Sequence, residues 1–137
     1  MKNLILIASF AVVCSTPLFA QENNVDDPIG RAFFSPEVVM QNQQAISLTE
    51  IQRTSLTKEM QNAQSEFTTL QWDLQKEMEK LKSLVEKEAL SEQDVLNQLD
   101  QVLVIENKIK KRQITLMVRL KNLLSHEQQA KLQKLKK

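Results

Sequence analysis

The sequence predicts an all-α protein: a long antiparallel helical hairpin with short flanking helices, expected to pair with a second copy as a cradle-like homodimer. Three observations carry this. One glycine and three prolines in 137 residues exclude a turn-rich β architecture. Apolar residues recur at steps of three and four over two long stretches, the period of one helix face. Short cap signatures stand where those stretches begin and where the second ends.

Residues 1–20, "MKNLILIASFAVVCSTPLFA", read as a signal peptide. Lys2 comes first, then an apolar run from Leu4 to Val13, then the small Ala20 at the expected cut. A membrane anchor needs about 20 continuous apolar residues, and Ser15 and Pro17 interrupt this run. A lipid attachment through Cys14 is disfavoured by the bulky Val13. Removing Cys14 leaves a chain without cysteine, to be held by packing rather than by disulfides. The expected compartment is the periplasm.

Residues 21–34, "QENNVDDPIGRAFF", lack periodicity and are read as a flexible segment, with Phe33 and Phe34 available to dock on the body. A single helical-hairpin domain is expected over 35–137. Ser35-Pro36 is a serine cap followed by proline at the first helical position, and a short helix is expected from there to about Ala45. At "LTEIQ", Thr49 can cap the next helix while Gln52 reaches back to the cap, with Leu48 in front. At "LSHEQ", Leu124, Ser125 and Gln128 repeat the arrangement. Between them, "LSEQDV" offers Ser91 and Asp94, with Leu90 and Val95 placed for a hydrophobic staple.

The stripe Leu56, Met60, Ala63, Phe67, Leu70, Leu74, Met78, Leu81 and Val85 predicts one helix from about 49 to 87. The stripe Val95, Leu99, Val102, Ile109, Leu116, Leu120 and Leu123 predicts a second from about 92 to 124, widened by Leu96, Leu103, Ile114 and Met117. Folding about residue 89 sets Phe67 near Ile109, and Met60 near Met117 and Leu120. A lone hairpin leaves apolar surface uncovered, hence the expected dimer.

The chain carries 18 basic and 17 acidic residues, unevenly placed. Residues 21–107 hold 7 basic and 16 acidic; residues 108–137 hold 10 basic and 1 acidic. Lys108, Lys110, Lys111, Arg112, Arg119 and Lys121, interleaved with Ile114 and Met117, form the candidate surface for a client or partner. Such a surface attracts acidic groups at long range and then offers apolar contact. The competing reading pairs these cations with the acidic start of the first long helix. Nucleic acid suits the charge but not an exported protein.

Catalysis is not expected, since no nucleophile–base pair and no glycine-rich phosphate loop can be drawn. His126, the only histidine, offers one imidazole where transition-metal sites want two or more ligands. Met40, Met60, Met78 and Met117 are better explained by packing than as thioether ligands. No cofactor and no metal site is expected.

The paired "LTEIQ" and "LSHEQ", one opening the first long helix and one following the second, resemble the LTxxQ motifs of the Spy/CpxP family of small periplasmic proteins. The likeness covers about residues 36–135. "SPEVVMQNQQAISLT" and "FTTLQWDLQKEMEKL" are similar to the CnrX- and ZraP-like branch of periplasmic heavy-metal sensors. The resemblance implies a cradle-shaped dimer of helical hairpins. It also implies a concave basic and apolar face that holds unfolding proteins without ATP. Its alternative is a regulatory or metal-stress sensor module that binds an inner-membrane signalling partner. The metal-binding members use histidines, some of them arranged as His-x-x-x-Met on the second long helix; here the nearest spacing is Gln113 to Met117, with glutamine in the place of histidine.

Overall fold

In a computed structural model, residues 28–136 are described. The signal peptide expected over 1–20 and residues 21–27 of the expected flexible segment lie outside them. Five helices follow one another: α1 (Pro28–Ala32), α2 (Pro36–Gln41), α3 (Glu50–Val85), α4 (Glu92–Leu123) and α5 (His126–Leu135). No strand occurs among the described residues. None of their helices is long and apolar enough to cross a membrane.

The caps act as their residue types require. Ser35 accepts from the Val38 N–H with Pro36 opening α2. Thr49 and Ser125 each close a full capping box, with Gln52 and Gln128 respectively. Ser91 accepts from the Asp94 N–H at 3.3 Å. Each such cap adds about 1 kcal/mol to its helix. Leu90, however, stays 59% exposed, so the staple expected with Val95 does not bury that residue.

Two sequence expectations are revised at the amino end. α2 ends at Gln41, before the expected Ala45, and residues 42–47 wind through turns. The Asn42 side chain donates to the Val38 carbonyl at 2.8 Å, and Ser47 adopts φ 53°, a left-handed conformation uncommon outside glycine. What compensates is the burial of Ile46 and Leu48 on either side. The second revision concerns 28–34. Pro28–Ala32 forms a helical turn; Phe34 docks in the core, as the sequence allowed.

α3 and α4, of 36 and 32 residues, run for about 54 and 48 Å and pack against each other along their length. The short connection at 86–91 makes them antiparallel. The core gathers at the open end of the hairpin: Phe34, Val39, Ile46 and Leu48 join Leu56, Ala63 and Phe67 of α3, Leu116 and Leu120 of α4, and Leu124 and Leu132. Towards the connection the seam thins to buried Val102 and Ile105 with half-buried neighbours.

Candidate binding surface

The two motif copies meet. Gln52 Nε2 donates to Gln128 Oε1 at 2.8 Å, and Gln128 Nε2 donates to Gln52 Oε1 at 2.9 Å. Each oxygen also accepts from the N–H of its own cap, Thr49 at 3.1 Å and Ser125 at 2.9 Å. Each nitrogen donates once more, to the carbonyl two residues before the opposite cap: Leu123 at 2.8 Å and Ser47 at 3.4 Å. The arrangement has approximate two-fold symmetry, and it fills both donors and both lone pairs of each amide. Leu48 and Leu124, buried beside it, seat the clasp. Capping explains each motif alone; their pairing explains why the chain carries two.

The predicted basic residues divide three ways. Arg112 is only 10% exposed and its Nε contacts Glu66; Arg119 pairs with Glu59 at 2.8 Å across the seam. That hydrogen bond, reinforced by the Glu59 charge, raises the Arg119 pKa above the usual arginine value. Lys121 Nζ donates to the Ala32 carbonyl at 2.8 Å and stands 5.8 Å from the Phe33 ring centre. These three contribute within the protomer, as the competing reading held for Arg112 and Arg119. Lys108, Lys110 and Lys111 remain exposed.

Arg112 was legible as a seam residue, since Ile105, Ile109, Arg112 and Leu116 follow one another at steps of three and four. The eye is drawn instead to its place in a basic run. Lys136 gave no such signal. Its Nζ donates to the carbonyls of Gly30, Arg31 and Phe33 at 2.9, 3.2 and 2.6 Å. With Lys121 it caps the negative end of α1. Burial, and then the neighbouring Lys121 charge, lower its pKa below the usual lysine value.

The hairpin has two unlike sides. At about 100° per residue, Leu96, Leu103, Lys110, Ile114 and Lys121 lie about 100–140° round α4 from the seam, all on one side. Met60, Met78 and Val85 lean towards that side of α3. At the open end α1 covers it through Lys121, and α2 covers it where Met40 and Pro36 face Met60 and Leu116 across a groove. Nearer the connection no other described element covers the same side: Met78, Val85, Leu96 and Leu103 are each 42–48% exposed. Ile114 and Met117 are half-buried beside exposed Lys110. The opposite side is polar, with the Arg112–Glu66 and Arg119–Glu59 pairs and Gln98, which donates to the Glu77 carbonyl and carboxylate at 2.9 and 2.8 Å.

Trp72, the only tryptophan, is 68% exposed and lies about 180° from the seam by the same count. His126 is exposed in the first turn of α5. Among the described residues no three His, Cys, Asp or Glu side chains come together as a metal site. No family model matches the chain, and no match was found among curated proteins or solved structures.

Proposed function

We propose that the protein is an exported, ATP-independent holdase that binds unfolding proteins of the periplasm on the uncovered apolar side of its hairpin. One observation carries this. Among the described residues, the side covered by α1 and α2 at the open end carries Met78, Val85, Leu96 and Leu103 nearly half exposed towards the connection, with no other described element over them. Contiguous exposed apolar surface of this kind marks an interaction site. Its long, shallow form suits extended, varied segments better than one small ligand. Lys110 borders it and supplies attraction for acidic clients, while Ile114 and Met117 supply adaptable apolar contact. The signal peptide read in the sequence and the likeness to the Spy/CpxP motifs support the same reading. Pairing of two copies, with part of this side shared between them, belongs to the proposal.

The cations that steer a client are fewer than the sequence suggested. With Arg112, Arg119 and Lys121 engaged inside the protomer, attraction rests on the exposed lysines, and its salt dependence is correspondingly modest.

Light scattering of a chemically denatured client, diluted into buffer with the purified protein and no ATP, tests the reading. Suppression of aggregation is expected, and Leu96→Ser with Leu103→Ser is expected to weaken it several-fold while circular dichroism is unchanged. Surface changes of this kind alter stability by about 0.5 kcal/mol or less. No suppression at molar excess would overturn the proposal in favour of a regulatory module with one tight partner, sought by pull-down from membrane extract.

A further inference from the structure

Four consecutive carbonyls, those of Gly30, Arg31, Ala32 and Phe33, are held by two ammonium groups. Lys136 Nζ donates to Gly30, Arg31 and Phe33, and Lys121 Nζ donates to Ala32. Each ammonium also stands by a ring, Lys121 at 5.8 Å from the Phe33 centre and Lys136 at 5.7 Å from that of Phe34, within reach of cation–π attraction.

The segment so held is weak by itself. α1 has five residues, well short of the about 12–15 that an isolated helix needs to persist. From Gly30 onward, the first buried residues are Phe34 and Pro36; Arg31 and Ala32 are exposed, and Phe33 is half-buried. Burial, and then the Lys121 charge, disfavour the charged form of Lys136. The hold is therefore looser than four carbonyl contacts alone would make it. Release has a consequence because of where Lys121 lies. It stands on the apolar side of α4, one turn beyond half-buried Met117, and α1 covers the side at that turn.

We infer that residues 28–33 are an autoinhibitory strap, latched by Lys121 and Lys136 and hinged at Phe34 and Ser35, which closes the apolar side at the open end. Release lengthens that side by the turn from Met117 to Lys121 and bares the Phe33 ring. What the strap inhibits rests on the function proposed above; whether it opens does not.

Arg31 is the only basic residue between 21 and 52. Its carbonyl, which an arginine-specific protease must attack, accepts from Lys136 at 3.2 Å. Cleavage after Arg31 in the full chain therefore counts open straps. The wild type is expected to be cut there about tenfold more slowly than a peptide of residues 28–38, because opening must precede cutting. Lys121→Met with Lys136→Met keeps the apolar stems and removes the donors, and it is expected to recover most of that factor. Lys136→Met alone, at the end of the chain, is expected to recover part of it. Cleavage after Arg53, Arg112 and Arg119 reports the rest of the fold and is expected to be unchanged. Lys131→Met with Lys134→Met removes two charges from α5 outside the latch and is expected to leave the Arg31 rate as it was. Binding of Nile red, an uncharged dye, is expected to rise in the double latch variant, and suppression of client aggregation with it.

Cleavage after Arg31 as fast in the wild type as in the peptide, or no faster in either latch variant, would overturn the strap. Equal acceleration by the Lys131 and Lys134 pair would do the same. Faster cleavage with no gain in dye binding would mean that the segment covers nothing, and would overturn the autoinhibition. Faster cleavage with a gain in dye binding, but no suppression of aggregation by any form, would uphold the strap and count against the holdase.

Discussion

Gln52 and Gln128 are the residues on which the open end of the hairpin closes, because every hydrogen-bonding position of both amides is filled. Gln128 is buried, 8% exposed. Replacing either glutamine by alanine leaves a cap N–H, a carbonyl and half of the partner amide unsatisfied. A loss of about 1–3 kcal/mol per substitution is expected. Since each variant also disables the other's partner, the double variant should cost less than the sum by about 1 kcal/mol or more. Urea unfolding of the two single variants and the double measures the coupling; strict additivity would show two independent caps and no clasp. Arg112 obeys different logic. It occupies a seam position, nine-tenths buried, with its Nε on the exposed Glu66, so truncation removes packing from the seam and acts on the fold.

At the scale of elements, α3 and α4 owe their existence to period and punctuation, which is why their ends were legible within two residues. Ser/Thr caps and the three-four recurrence of Leu56, Ala63 and Phe67 are local signals, readable where each helix lies in the chain. What was not legible is what depends on contacts across the chain. Nothing near Ser47 announces a left-handed turn, because its compensation lies in the burial of Ile46 and Leu48. Nothing near Gly30 announces that Lys136, more than a hundred residues later, will hold the end of α1. Likewise the basic run 108–121 looked like one surface, whereas helical geometry deals its members to both sides of the hairpin and to the seam. A polar station nearer the connection gives the pairing of α3 with α4 a pH dependence. Hydrogen bonds from Lys80 first and Gln98 next hold the Glu77 carboxyl below the ordinary 4.5. A carboxyl with a lowered folded pKa adds stability that is complete above its unfolded value and is lost as pH falls through the folded one. The urea midpoint of the wild type is therefore expected to exceed that of Glu77→Gln at pH 7, and the gap to close progressively below pH 4.5. A gap that persists unchanged into acid would remove Glu77 from the account.

At the scale of the whole molecule, stability is unevenly distributed, and the unevenness is tied to the proposed activity. The core cluster joins α2, α3, α4 and α5 at one end. Among the described residues the other end consists of two helices only, with Trp72 and Leu90 mostly, and Met78, Leu96 and Leu103 nearly half, in solvent. Regions with few buried apolar contacts open at lower free energy than the global transition. Hydrogen exchange is therefore expected to be slowest in 56–67 and 116–124 and to quicken on both helices from about 78 to 99. If the apolar side is shared between two copies, dilution should selectively speed exchange at Leu96 and Leu103, because protection conferred by association follows concentration. A holdase needs the remainder of that side to stay available, so protection there should rise further when an unfolded client is added, while the open end hardly changes. Client-induced protection confined instead to the polar side, around Glu59, Glu66 and Arg119, would place the binding surface on the opposite side of the hairpin. Uniform protection along both helices at every concentration would mean that the side is covered by something more permanent than a client, and the holdase reading would then lose the observation that carries it.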